Sequence, residues 1–308
     1  MLTQGLVIRT TGSFVTVKTP DGALHECRLK GLIRTRGLRT TNPVAVGDRV
    51  LLEQSAPGEY VISDIAEREN YIIRRSVNLS AQAQIIAANI DQAVLVATVH
   101  APRTSAGFID RFLITCEAYH IPALIVFNKC DLCDKPEEQA LLTYFRAMYE
   151  AAGYPVLEVS AVSGLNLDQL RACLQGKITL FSGHSGSGKS SLINQLNPAL
   201  QLRTGDISAV HQKGKHTTTF AEMLEIDKNT WLIDTPGVKE FGLVDMEPRE
   251  LRHYFTEFSE VAAHCRFSNC MHQQEPGCAV RLAAEQGKIH PGRYQSYLGL
   301  LQSDELIS

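Results

Sequence analysis

One octapeptide limits what this chain can fold into more than any other feature. Gly183-His184-Ser185-Gly186-Ser187-Gly188-Lys189-Ser190 follows directly on the apolar run 178–182 and leads into helix-compatible residues 189–196. Its glycines let the backbone turn N–H groups inward around phosphate oxygens, and the helix that follows points its positive dipole end the same way. The pattern is that of a P-loop, and its strand-to-helix setting is the one such a loop requires.

The hydrophobic patterning on either side agrees with this. From about residue 85, apolar runs at 93–98, 123–127, 155–159, 178–182, 221–226 and 231–233 alternate with stretches of helical period such as 108–119 and 137–151. Strands alternating with helices predict a mainly parallel sheet covered on both faces. Residues 1–68 read differently, with short β-type runs at 5–8, 14–17, 44–46, 49–52 and 60–62 and turn signals at Asp21-Gly22, Gly47-Asp48 and Pro57-Gly58. These five short strands fit an OB-type β-barrel. After residue 242 the strand signals stop, leaving a polar, helix-compatible segment with little apolar material for a core. The expected architecture is therefore multi-domain: an N-terminal OB-type β-barrel over 1–68, a central α/β P-loop domain over 69–241, and a small, mainly helical domain over 242–308.

A P-loop does not choose the base. Asn128-Lys129-Cys130-Asp131 ends the apolar run 123–127, where ligands of α/β sheets bind, and it resembles the guanine-specificity motif of GTPases. An aspartate carboxylate accepts hydrogen bonds from guanine N1–H and the 2-amino group, a donor pair adenine lacks, so adenine would leave the carboxylate unsatisfied. Asn128 is expected to brace the loop and Lys129 to lie over the base. Ser160-Ala161, closing the run 155–159, matches the companion motif whose backbone N–H contacts the guanine oxygen. Within the P-loop Lys189 is expected to reach the β- and γ-phosphates, which places it among the catalytic residues, and Ser190 to ligate Mg²⁺; Ser191 completes the nucleotide-binding set. Asp234-Thr235-Pro236-Gly237 matches the D-x-x-G element, with Asp234 holding Mg²⁺ through water and the Gly237 N–H sensing the γ-phosphate. The polar run Gly214-Lys215-His216-Thr217-Thr218-Thr219 offers three threonines for the first switch, and the sequence does not choose among Thr217, Thr218 and Thr219.

The base motifs precede the P-loop, the reverse of the usual order, so the GTPase domain is circularly permuted. The same sheet forms if the old termini are joined and new ones opened elsewhere. Permutation places the second switch just before the C-terminal segment, and γ-phosphate-dependent ordering of the switches is expected to reach that segment. Val238 stands where many GTPases carry a water-orienting glutamine. A valine cannot position water, so either His216 does so as a neutral imidazole or intrinsic turnover is slow. The alternative function is accordingly an RNA-binding module with a regulatory, poorly hydrolysing GTP site.

Eight cysteines in a chain without a signal-peptide pattern fit metal ligation or free thiols better than a disulfide framework. Cys265-x4-Cys270-x-His272-x5-Cys278 supplies three thiols and an imidazole, the donor set of a closed, structural Zn²⁺ site, one per chain. Cys130-x2-Cys133 invites a redox reading, but Cys130 occupies the variable position of the base motif, and the pair reads as ordinary thiols. The formal charge of −3 excludes a globally basic nucleic-acid binder. A local patch is present in Arg28, Lys30, Arg34, Arg36 and Arg39, with Arg74-Arg75, Lys213 and Lys215 as further basic residues. No apolar run approaches the roughly 20 residues that span a bilayer, so no membrane association and a cytosolic location are expected.

Barrel, permuted motif order, the Gly-Lys-His-Thr-Thr-Thr loop and the Cys-Cys-His-Cys cluster together resemble the bacterial ribosome small-subunit-dependent GTPase A family over essentially the full chain. The resemblance implies a late-acting assembly factor that binds the small ribosomal subunit, contacts its rRNA through the barrel and zinc domain, and has its GTP hydrolysis stimulated by that subunit. It further implies Mg²⁺ with GTP or GDP. A monomer is expected.

Overall fold

The computed structural model describes residues 2–11, 14–30, 43–75, 83–202, 222–234 and 246–302. The chain divides into two compact units, Met1–Ala93 with Asp168–Ser182 and Lys189–Glu240, and Val94–Leu167 with Gly183–Gly188 and Phe241–Ser308.

The first unit opens with β1 (Leu2–Thr11), β2 (Phe14–Lys18), β3 (Leu24–Leu29), β4 (Arg49–Ala56) and β5 (Glu59–Ile65). Their order is β1-β2-β3-β5-β4, and β4 returns to pair with β1, which closes a five-stranded OB-like barrel. Period-two patterning fills it: Val15 and Val17 of β2 point inward, and Val7, Cys27, Val50, Leu52 and Ile62 complete the core. The expected strand at 44–46 does not form, and Leu24–Leu29 supplies the fifth strand instead. Only Val46 makes a bridge, to Ala87. Pro43 precedes this segment and Gly47 ends it in a left-handed turn (φ +87°), while Ala45 N–H donates to the buried Asp48 carboxylate at 2.8 Å. Arg68 neutralises that carboxylate through two 2.7 Å bonds, so 43–48 is a buried plug and not a ladder.

A hairpin of β6 (Tyr71–Arg75) and β7 (Ala83–Ala88), outside the runs expected from the sequence to be strands, follows the barrel and leads to β8 (Gln92–Ala97). Further along the chain, β11 (Ile178–Ser182) runs parallel to β13 (Thr230–Asp234), which pairs antiparallel with β12 (Glu222–Asp227). Arg9 of β1 pairs with Glu222 of β12, and Lys18 lies 4.8 Å over the Trp231 ring.

The second unit holds the end of β8, then β9 (Ala123–Phe127) and the parallel β10 (Val156–Glu158), in the order β10-β9-β8. Between the strands lie α1 (Ala106–Ala118) and α2 (Pro136–Ala151). Ser105 caps α1 by accepting from Phe108 N–H at 3.3 Å, and Pro136 with Glu137 and Glu138 starts α2. Of the first unit, α3 (Leu167–Leu174) follows β10 in sequence, and α4 (Lys189–Leu196) covers the residues expected to be helical after the P-loop.

Short helices α5 (Ser259–Ala262), α6 (Ala279–Glu285) and α7 (Pro291–Leu301) make up the C-terminal part. It has an apolar core, contrary to expectation: Leu251, Phe255, Phe258, Val280, Ile289 and Tyr297 are all buried. The Phe255, Phe258 and Tyr297 rings meet at 5.1–5.2 Å. α7 serves both sides of this unit, with Tyr294 and Tyr297 hydroxyls donating to the His272 and Met271 carbonyls, and Arg293 ion-paired to Asp110 of α1. Among the described residues no helix is long and apolar enough to cross a membrane.

Candidate nucleotide site and metal cluster

Three loops at the carboxyl ends of β9, β10 and β11 hold the predicted nucleotide residues, and within the second unit Asn128 ties them together. Its backbone N–H donates to Ala97 O at 2.9 Å, its side-chain amide donates to Ser187 O at 2.9 Å, and its Oδ1 accepts from Ala161 N–H at 3.2 Å. One buried side chain thus joins the P-loop to both base motifs, and its two amide functions are both used. The glycines are needed for the approach. A Cβ on Gly188 (φ +93°) would lie 2.3 Å from Asn128 Nδ2, and one on Gly183 (φ +142°) 2.3 Å from Val96 O.

Lys129 sits in the left-handed region (φ +65°), and its ammonium donates to Ala101 O at 2.6 Å. Asp131 lies in the short turn Cys130–Leu132, where its carboxylate accepts from Ser160 Oγ. Ser160 Oγ in turn accepts from the N–H groups of Val162 and Ser163 at 3.2 and 3.0 Å, closing the second base loop around the aspartate. In the P-loop Ser185 and Gly186 are exposed, Ser187 is buried, and the His184 ring stacks on Phe108 of α1 at 3.8 Å. Lys189, Ser190 and Ser191 form the first turn of α4, with Ser190 buried. Burial pushes the Cys130 thiol up to about 11, and Sγ donates to Phe127 O at 3.2 Å. Burial likewise raises Cys133. Neutral thiols are poor nucleophiles, which agrees with reading the pair as ordinary cysteines.

His216, Thr217, Thr218, Thr219 and Gly237 lie outside the described residues, as do Lys213, Lys215, Val238 and Arg34, Arg36 and Arg39. Asp234 ends β13. Arg74 and Arg75 end β6.

The donor atoms of Cys265, Cys270, His272 and Cys278 all lie within 4.8 Å of one another, a group that could hold a metal ion. His272 Nδ1 is 3.6 Å from Cys265 Sγ and 3.5 Å from Cys278 Sγ. Bonds of about 2.3 Å to sulfur and 2.0–2.1 Å to nitrogen in a tetrahedron give an edge of ~3.6 Å, so the donor set fits a four-coordinate ion. The surroundings fix it in place. Arg281 N–H donates to Cys278 Sγ at 3.3 Å as α6 begins, Arg252 donates to Cys270 O at 2.8 Å, and Glu275 accepts from Met271 and Gln273 N–H.

The fold and these loops define a P-loop GTPase with its base motifs ahead of its phosphate loop. Two family models match the chain, RsgA GTPase over residues 65–244 and RsgA N-terminal domain over residues 4–62. A protein of Bacteroides fragilis named Small ribosomal subunit biogenesis GTPase RsgA is 52% identical, over 98% of this chain and 97% of its own. Small ribosomal subunit biogenesis GTPase RsgA 2 of Bacteroides thetaiotaomicron shows the same identity and coverage. Among solved structures, YjeQ from Thermotoga maritima matches with a TM-score of 0.82 at 34% identity, covering 100% of this chain and 99% of its own. YloQ, described as a circularly permuted GTPase, matches at 0.76 and 27%, covering 98% and 94%. The chain belongs to the RsgA GTPase family.

The residues that sequence reasoning missed are those behind the loops. Thr98 N–H donates to Thr104 Oγ1 at 3.0 Å, and Thr104 N–H donates to Thr98 O at 2.8 Å. The connection so pinned carries Ala101, which holds Lys129, and leads to Phe108, which packs on His184. No motif or periodicity marks these residues, because their role lies in contacts between segments distant in sequence.

Proposed function

We propose that this GTPase acts on the small ribosomal subunit as a late assembly factor in the cytoplasm, hydrolysing GTP to GDP and phosphate faster when bound to that subunit. The observation that carries the reading is Asn128, which links the phosphate loop to two base loops in the arrangement guanine recognition needs. The name shared by relatives at 52% identity supports the choice of partner. The proposed division of labour follows the three sequence domains, 1–68, 69–241 and 242–308, with the protein acting as a monomer.

Asp131 accepts from guanine N1–H and the amino group, Lys129 covers the base, and the Ala161 N–H, which donates to Asn128 Oδ1 at 3.2 Å in this structure, is shared with the guanine oxygen when the base is bound. Lys189 and the N–H groups of 183–190 hold the phosphates. Ser190 supplies a hydroxyl for Mg²⁺, which neutralises phosphate charge when bound; Asp234 and one of Thr217, Thr218 and Thr219 complete its protein partners. Gly237 reads the γ-phosphate and His216 orients the attacking water. The loss of turnover in His216→Ala at unchanged nucleotide affinity tests that last role. Zn²⁺ is the ion we assign to Cys265, Cys270, His272 and Cys278, since a closed Cys₃His set suits it and leaves no open position for catalysis. For rRNA, the barrel offers Phe14, exposed on β2 with the Arg28 guanidinium 4.9 Å over its ring, a pair suited to stacking on an unpaired base.

The test is hydrolysis at fixed Mg²⁺ with and without purified small subunits, with ATP as the control nucleotide. Stimulation with GTP alone is expected. Equal turnover in both conditions would overturn the partner and leave the regulatory, poorly hydrolysing reading.

A further inference from the structure

The segment between β8 and α1 touches both halves of the nucleotide site. Ala101 O holds the Lys129 ammonium at 2.6 Å. Pro102 Cδ lies 3.5 Å from where a Cβ of Gly186 would stand. At the start of α1, Phe108 stacks on His184 with ring centroids 3.8 Å apart and planes 27° apart. The segment has little freedom of its own, since the paired Thr98–Thr104 bonds close it and Ser105 caps the helix it feeds.

α1 is in turn fixed from the other side. Asp110, two residues beyond Phe108, is fully buried and ion-paired with the equally buried Arg293 of α7, whose Nε and Nη2 also reach Glu257 at 2.6 and 3.2 Å. Phe255 lies 4.4 Å beneath that guanidinium. A buried charge with this many partners has one position, and it gives α1 one position too.

We propose that Phe108 is a positioning residue for the phosphate loop, carried by a helix that Arg293 of the C-terminal part holds in place through Asp110. This rests on the reading of residues 183–190 as the phosphate-binding loop. Phe108 touches the loop and not the ligand. A flexible, glycine-rich loop binds phosphate well only if its N–H groups are already aimed, and the stack fixes the residue next to Gly183. Its effect therefore falls equally on GDP and GTP and leaves the chemical step alone.

The experiment is a double-mutant cycle on the full-length, metal-loaded protein with Phe108→Ala, His184→Ala and the pair, reading fluorescent GDP and GTP-analogue affinity, KM and kcat. An aromatic stack of this kind converts to roughly 2- to 12-fold in affinity. Each single variant is expected to lose that factor for both nucleotides and to raise KM, with kcat unchanged in Phe108→Ala, and the pair to lose no more than either alone. Phe108→Tyr restores affinity, and metal content and thermal unfolding stay at the unsubstituted protein's values. Additive losses, or affinities in Phe108→Ala and His184→Ala equal to the unsubstituted protein's, overturn the proposal. Failure of the unsubstituted protein to bind GDP would instead overturn the phosphate-loop reading on which it rests.

Discussion

At the scale of single residues, the site depends on atoms that are missing as much as on those present. Gly188 has no Cβ because Asn128 Nδ2 occupies the place one would take, 2.3 Å away, and its φ of +93° disfavours any side chain. Gly188→Ala forces either the loop or the asparagine to move, and strain of about 1–3 kcal/mol corresponds to on the order of 10- to 100-fold weaker nucleotide binding. Titration with fluorescent GDP checks this; affinity unchanged within twofold would mean that Asn128 does not set the loop's shape. The motif was legible in the sequence because glycine, lysine and serine at fixed spacing have few other uses. The Phe108–His184 stack was not, since His184 fills a variable position of the loop and nothing local marks its partner.

At the scale of elements, legibility followed the strength of the pattern. Mostly apolar, buried runs such as those of β8, β9 and β11 stood out because both faces of a parallel sheet are covered. The run at 44–46 has the same composition, but Pro43 and the Asp48–Arg68 pair turn it into a plug. α3 has only Leu170 and Leu174 buried, too few positions to establish a helical period. The C-terminal core went unread because its aromatic residues are spread through short helical turns with no common period. That core changes the expectation for metal removal. Cys278 belongs to the group that could hold a metal ion and also caps α6, so chelation is expected to free α6 and the loop 265–278, while Phe255, Phe258 and Tyr297 retain a collapsed cluster. Hydrogen exchange after chelation is expected to lose protection over 265–286 and to keep most of it in α7 and in the barrel strands. Full protection throughout, with metal shown to be absent, would mean that the ion is dispensable for this fold.

At the scale of the whole chain, permutation leaves the C-terminal residues following β13 in sequence, and the buried Arg293 bonds them to α1 of the GTPase domain. The sequence could not reveal this link, since an arginine at the start of a polar helix normally faces water. Burial pushes the Asp110 carboxyl up, the Arg293 charge opposes that, and the Asp110 and Glu257 carboxylates hold the guanidinium in its charged form. Arg293→Met removes the opposing charge and leaves burial, joined by the Glu257 charge, to push Asp110 up against the hydrogen bond from Ser296. An uncompensated buried carboxylate costs about 3–5 kcal/mol at neutral pH. Its sign with pH follows from linkage: an acid whose folded pKa lies above its unfolded value binds more protons when folded, so folding gains stability as pH falls through the folded value. The destabilisation of Arg293→Met is therefore expected to be greatest near pH 8 and to shrink toward pH 5. Adding Asp110→Asn should remove the part of that pH dependence that belongs to Asp110 and leave only that of Glu257, the second carboxylate that Arg293 holds. Denaturant unfolding of both variants across this range measures it, and a pH-independent loss in Arg293→Met would show that Asp110 reaches water once its partner is gone.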